Sequence, residues 1–326
     1  MRTIKIFTPL IVAAIVSTSP SIAGASEPTG PIRIIVGYAP GGAADSTARI
    51  YAEQLRADGA GTVIVENKPG ASNRVAVEYM KNAKPDGQTI FLGPSPLFTI
   101  FPLTYRKLTF DPDRDFVPVA SLVDIPTVIA ASVNQPYKTL PEYIEQAKAN
   151  PALRNVGYAT LGSAGQLGFA SLSQKIGVNF AAVGYKGASP MLVDLTSGTV
   201  PVGWDAAASM LQLYKGGKIR LLGISGTERS RFFPEVPTVK ELGYDSFQFA
   251  TSWYGVFLPK GATPEVVERI EKLFRKASAN RMLVEKLDRL GLAVAPAGHT
   301  ETQKRIQTER NFWKPIVTAS GLVIDE

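Results

Sequence analysis

The 326-residue sequence contains no cysteine and a single histidine, His299. Without cysteine there is no disulfide, no thiolate nucleophile and no zinc site built on His and Cys. A Ser-His-Asp triad would have to use His299, and the chain has neither a G-x-S-x-G elbow nor an S-x-x-K pair to supply its serine. Charged residues make up 19% of the chain, and the 35 lysines and arginines are scattered without a basic run. That distribution argues against nucleic acid as a partner. Long apolar runs are also missing. The stretch from Ile6 to Val16 is well short of the ~20 residues of a membrane span and is interrupted by Thr8 and Pro9.

The N-terminus has a different logic. Arg2 and Lys5 form a short basic start, the apolar stretch follows, and Ala23-Gly24-Ala25 is an A-x-A cleavage signal. This layout predicts a secretory signal peptide over residues 1–25, removed after Ala25 on export. Its removal takes away Arg2 and Lys5 and no acid, so the net charge of +7 falls by two to +5. A hydrophobic content of 45% supplies a core that needs no disulfides outside the cell membrane. The length fits about two domains of the usual ~100–200 residues.

The body alternates strand and helix patterns. Strands are expected at 32–36, 62–66, 89–93, 117–123, 127–131, 156–159, 181–184, 200–204 and 219–224, with helices at 140–149, 166–176 and 191–197 between some of them. Such alternation predicts an α/β protein with mainly parallel sheets flanked by helices. The last third is helical: Val267, Ile270 and Phe274 recur at helical spacing behind Pro264, and 301–320 is a second long candidate. Crossing regions near 124–126 and 249–252 suggest two lobes joined by two crossover strands at a hinge around a cleft. The expected lobes are 31–124 plus 251–326, a discontinuous unit, and 125–250.

Within this frame, "PIRIIVGYAPGGAADSTARIYAEQL" reads as a buried strand, a turn with Gly41 and Gly42, and a helix. Backbone N–H groups at a helix start attract anions. Pro40-Gly41-Gly42-Ala43 matches neither G-x-G-x-x-G nor the P-loop pattern and lacks a phosphate-facing lysine, which leaves carboxylates. Asp45 is read as a helix N-cap. Ser163-Ala164-Gly165-Gln166 precedes another helical pattern and is the candidate facing clamp. Asp205 and Ala206 stand near a strand end, where α/β folds place ligands. Asp205 would accept from a ligand hydroxyl or amine, or cap the following helix. Tyr185 is either core or cleft wall, and Tyr38, Ser95 and Phe98 are candidate cleft residues. Trp253 and Tyr254 are read as hinge packing, Lys186 as exposed, and His299 as a surface residue before a helix. In "FDPDRDF" the acids read as a solvated turn, because the stretch lacks the glycine and bidentate Glu of a calcium loop.

Taken together, the segments "PIRIIVGYAPGGAADSTAR", "VIVENKPGA", "AKPDGQTIFLG", "LTFDPDRDFVPVASLV", "VGYKGASPMLVDLTSG", "GWDAAASML", "RSRFFPEVPTVKELGY" and "SWYGVFLPKGATPEVVERI" resemble, in order, the periplasmic solute-binding component of tripartite tricarboxylate transporters, the Bug family. Two places depart from its pattern. Ala71-Ser72-Asn73, with Arg74 behind, stands where the family usually shows G-A-G-G, and in "TLGSAGQLGF" Gly168 stands where it often carries a histidine.

The resemblance implies a Venus-flytrap architecture closing on a small organic carboxylate in the periplasm, without catalysis, cofactor or metal. The acid would be held by backbone groups, hydroxyls and water rather than an arginine clamp. The implied ligand set is Tyr38, Gly41, Gly42, Ala43, Ser95, Ser163, Ala164, Gly165, Gln166, Tyr185, Asp205 and Ala206. The implied partners are the large and small membrane subunits of such a transporter, with the binding protein itself a monomer. An exported ligand sensor and an exported α/β enzyme are the other readings.

Overall fold

The computed structural model describes residues 30–324 apart from Thr160 and Lys186, so the expected leader, its cleavage site and the exposure of Lys186 lie outside the described residues. The chain begins with β1 (Ile32–Val36), α1 (Ala43–Ala57), β2 (Val63–Asn67), α2 (Arg74–Lys81) and β3 (Thr89–Pro94). Three short turns, α3 (Pro96–Thr99), α4 (Phe101–Thr104) and α5 (Pro112–Asp115), lead to β4 (Phe116–Ile125). Then come β5 (Thr127–Ser132), α6 (Leu140–Ala149), β6 (Asn155–Tyr158), α7 (Ala164–Ile176), β7 (Ala181–Gly184), α8 (Ala188–Ser197), β8 (Val202–Ala206), α9 (Ala207–Lys215) and β9 (Ile219–Ile224). The chain closes with β10 (Ser252–Pro259), α10 (Pro264–Ser278), α11 (Arg281–Arg289), β11 (Ala293–Ala297) and α12 (His299–Ser320).

These strands form two sheets, one in the order β11-β4-β10-β3-β1-β2 and one in the order β7-β6-β8-β5-β9. Alternate residues serve opposite faces, as a pleated strand requires. Ile34, Val36, Ile90 and Leu92 join the core with α1 and α10, whereas Ile35 and Phe91 join the one with α2 and Phe257. In the second sheet, Ile129 and Ala131 pack toward α6 and α7, while Val128 and Ala130 pack toward α8 and α9. Helix α1 docks because Ala44, Ala48, Tyr51, Ala52 and Leu55 fall on one buried face.

Both sheets are mixed, which corrects the expectation of mainly parallel pairing. β1 pairs in parallel with β2 and β3, but β10 runs antiparallel to β3 and β4, and β11 antiparallel to β4. In the other sheet β6 is parallel to β7 and β8, while β5 is antiparallel to β8 and β9. The antiparallel pairs arise at the passages between sheets: β4 runs out through Pro126 into β5, and the chain comes back into β10. Hydroxyls tie the two passages together. Thr127 Oγ1 donates to the Ala250 carbonyl (2.9 Å) and lies 2.8 Å from Ser225 Oγ, itself 2.8 Å from Thr251 Oγ1. Helix α12 serves both halves. Its Ile306 packs with Phe91 and Phe257, and its Trp313 and Val317 pack with Ile129 and Phe169.

Candidate functional site

The crossing segments separate two cavities, again by strand alternation. Ile125, Thr127, Ala250 and Ser252 face a cavity of about 380 Å³, while Asp124, Pro126, Phe249 and Thr251 face an opening of about 750 Å³ on the other side. In the larger opening part of the charge is already paired, while Glu228, Glu301 and Lys304 also line it. Arg305 bridges Asp124 (2.8 Å) and Glu309 (2.9 Å), and Arg229 bonds Glu241 (2.8 Å). The smaller cavity has aromatic walls, Tyr38, Phe101, Tyr105 and Trp204, with Ser72, Asn73, Ser163 and Asp205 as polar points. Its residues come from the loops after β1, β2 and β3, from the ends of β6 and β8 and from the start of α7, so both sheets contribute. Ile324 adds a lid edge: its amide donates to the Thr104 carbonyl at 2.8 Å, and its side chain leaves no room for a Cβ at Gly162.

Of the twelve residues expected at the site, the cavity gathers Tyr38, Ser163, Ala164, Asp205 and Ala206. Tyr38, 38% exposed, is nonetheless surrounded by protein, which raises its phenol pKa, partly offset by a hydrogen bond with Asn73. Ser163 caps α7, its Oγ accepting from the Gln166 amide at 3.4 Å. Asp205 has its carboxylate pKa raised by burial, against hydrogen bonds from the Ala206 backbone and Ser209. Its Oδ2 is buried without a hydrogen-bond partner.

The other seven do not line this cavity. Gly41 adopts φ +89° and donates its N–H to Asp45 Oδ2 (2.9 Å), so that donor is taken by the protein itself. Gly42, at φ −79°, is the N-cap of α1 without needing a left-handed conformation, and it and Ala43 are exposed. Asp45 is therefore not the cap. Three residues into the helix, it reaches back to the turn, as an acidic side chain at that position can. Burial opposes its charge, but Arg49, Gly41 and Asn67 outweigh that and lower its pKa. Ser95 is buried. Its amide donates to the Trp253 carbonyl (2.8 Å) and its Oγ accepts from the Trp253 amide (3.2 Å), so it pins β10 rather than facing solute.

Gly165 has a packing role, since a Cβ there would stand 2.3 Å from Trp204 Cδ1 and Nε1. Gln166 closes the turn by accepting from the Gly162 amide at 2.7 Å. Tyr185 is drawn to α8, donating to Asp194 Oδ2 (2.8 Å), and burial with that carboxylate pushes its pKa up to about 12. Phe98 is core, stacked on Phe257 at 3.7 Å. Trp253 and Tyr254 are buried, and His299 opens α12 with Nδ1 2.5 Å from the Pro118 carbonyl.

Sequence reasoning missed Trp204, Thr127 and the pair Ser72 and Asn73 as cavity residues. For Trp204 the signal was present, since it adjoins Asp205 at a strand end. Ser72 and Asn73 were singled out only as a departure from a glycine pattern. Both, with Ala71, adopt left-handed backbone, at φ +53°, +75° and +44°. Asn73 is buried, and Gly37 makes room for it: a Cβ at Gly37 would lie 2.2 Å from Asn73 Oδ1.

The model of the tripartite tricarboxylate transporter family receptor matches residues 47–322. Protein BugT of Bordetella pertussis is 30% identical over 300 residues, 90% of this chain and 90% of BugT. Among solved structures, R. palustris Rpa4515 with adipate superposes with a TM-score of 0.78 at 26% identity, covering 90% of this chain and 98% of that one. MatC from Rhodopseudomonas palustris with bound malate gives 0.73 at 27% identity, covering 89% and 99%.

Proposed function

Since the chain belongs to the tripartite tricarboxylate transporter receptor family, we propose that it is an exported, non-enzymatic solute-binding protein that captures a small carboxylate-bearing solute between its lobes and delivers it to the membrane subunits of such a transporter. The observation that carries this reading is the 380 Å³ cavity at the front of the hinge, with walls from both sheets. A ligand touching both walls favours the closed form by its preference for that form. The lobe division is 31–124 plus 251–326 and 125–250. Its support is the single passage through Pro126 and the return into β10, with α12 as a strap packed on both sides. The proposed location is the periplasm, after removal of residues 1–25.

Capture needs no formal countercharge on the carboxylate. Hydroxyl and amide donors with bridging water satisfy it, and the aromatic walls bury its carbon frame. The α1 start, with Gly42 and Ala43 outside the cavity wall, is the place the acid meets as the lobes close. Thermal shift of the mature chain against mono-, di- and tricarboxylates, aromatic acids and amino acids tests the reading. A ligand at 100 times its Kd stabilises the native state by ~2.7 kcal/mol. Scattering then shows compaction on saturation. No shift with any acid, or steady turnover of one, overturns it.

A further inference from the structure

Asp205 is the one charged side chain among the described residues that line the front cavity, and no lysine, arginine or histidine accompanies it there. Its Oδ2 is buried and unpartnered. Other polar groups on that wall are engaged: Ser163 Oγ with the Gln166 amide, and Thr127 Oγ1 with the Ala250 carbonyl. The opposite wall carries no charged residue among those lining it. There the Tyr38 hydroxyl and the Asn73 side-chain amide meet beside Ser72, and Asn73 Oδ1, set against Gly37, is also buried without a partner. The cavity is therefore one-sided in charge, with neutral hydroxyl and amide groups on the first-sheet side and an anionic acceptor on the second.

We propose that the solute carries a hydrogen-bond donor, an ammonium or amide group, opposite a single carboxylate: an amino- or amide-bearing acid rather than a di- or tricarboxylate. The inference rests on the solute-binding reading above. The carboxylate turns toward Tyr38, Ser72 and Asn73, and the donor satisfies Asp205 Oδ2. An orphaned buried acceptor costs free energy that a matching donor recovers, so a site built this way rejects analogues lacking it. A second carboxylate at that end would face Asp205 as a like charge in a partly dry cavity, where repulsion is stronger than in water. The aromatic ring of Trp204 beside Asp205 adds to the attraction for a cation.

The test uses matched triplets of three to six carbons: the dicarboxylate, the amino acid and the half-amide of each length. Each is titrated calorimetrically into the wild-type mature chain and into Asp205→Asn. The expected result is that an amino or half-amide acid binds at least about tenfold tighter than its dicarboxylate. Asp205→Asn erases that preference, and any dicarboxylate binding is kept or improved. A wild-type preference for the dicarboxylate overturns the donor proposal while leaving the binding-protein reading standing. A preference that survives unchanged in folded Asp205→Asn also overturns it. Failure of every acid to bind rejects both readings. The wild-type comparison holds even where the variant folds poorly.

Discussion

Replacing Gly165 with alanine puts one methyl group where the structure has no space. Its Cβ would lie 2.3 Å from Trp204 Cδ1 and Nε1 and 2.4 Å from Cε2, against ordinary contacts of 3.4–4 Å. The indole must retreat by about an ångström, and its retreat is blocked. Phe247 stands 5.3 Å away centroid to centroid, and Phe247 is itself pressed against Gly168, where a Cβ would lie 2.6 Å from its ring. Overpacking of this kind costs ~1–3 kcal/mol, and a closed-off retreat puts this site at the upper end. At ~2–4 °C per kcal/mol for a chain of this size class, the melting temperature should fall by about 4–10 °C. Trp204 also walls the cavity, so affinity should fall with stability. The reporter is built in: of the three tryptophans only Trp204 lines the cavity, so ligand-dependent emission is expected from it. Calorimetry and tryptophan fluorescence read both effects. Gly42→Ala is the control for stability alone, because its Cβ would have no neighbour nearer than 3.9 Å and its φ is −79°. A Gly165→Ala protein that melts with the wild type and binds with unchanged emission would refute the packing argument.

Three further expectations rest on other parts of the molecule. Gly42→Leu has room and an ordinary φ, so the fold should be kept while affinity falls about tenfold if the acid meets the α1 start on closure; isothermal titration showing wild-type affinity removes that contact from the mechanism. Arg231, in the segment after β9, pairs with Asp288 on α11 across the rear of the hinge. On the proposed hinge motion, closing the front would stretch that pair. Arg231→Ala should therefore raise affinity, by no more than about fivefold because a half-exposed pair contributes only ~0.2–1 kcal/mol, and weaker binding by the variant contradicts it. Glu309 is buried at the hinge, and desolvation raises its pKa to about 7 despite Arg305 and Trp253. The folded chain then holds a proton that the unfolded one has released above its ordinary 4.5, so stability should decline as pH rises from about 4.5 to about 7. Glu309→Gln should flatten that part of the melting-temperature profile, and an unchanged slope would show that other groups set it.

Much of the helical and strand pattern was readable, including the buried β1 and β9, whose bounds are as expected. α6 and β7 were expected with the bounds observed, and α1 follows from its apolar stripe. β10 was not anticipated as a strand. "SWYGVFLP" is apolar on both faces because it lies between β3 and β4, and a continuous apolar run carries no period to separate strand from packed linker. That central strand makes the first sheet mixed, as β5, antiparallel to β8 and β9, makes the second. At the cavity, the helix-start logic led to the α7 start, which lines it, and to the α1 start, which does not, and it overrated the donors. Gly41 and Gln166 are adjacent to the cavity in sequence, yet local hydrogen bonds to Asp45 and Gly162 use them. Which side chain closes a turn depends on rotamers that a motif does not encode. Gly165 and Gly168 look like flexible loop residues in sequence, whereas they are small because Trp204 and Phe247 occupy the space beside them.

The turn from Ala71 to Asn73 joins local strain to the site. Left-handed backbone costs a non-glycine residue ~1–2 kcal/mol, less for Asn, so three in succession are a burden that glycines would remove. The conformation is held from outside. Gly37 leaves space for the Asn73 side chain, Asn73 is buried beside Tyr38, and Arg74 Nε donates to the Ala71 carbonyl at 3.0 Å. A glycine turn of the same shape would be relaxed, but it would present only backbone to the solute. With Ser72 and Asn73 in place, the same path adds a hydroxyl and an amide to the wall facing Asp205. Strain kept at a cavity wall, where side chains make contacts that glycine cannot, fits the proposed role of this wall in holding the solute. On the proposed reading, the Ala71–Asn73 turn and the unpartnered carboxylate across the cavity are two sides of one recognition surface.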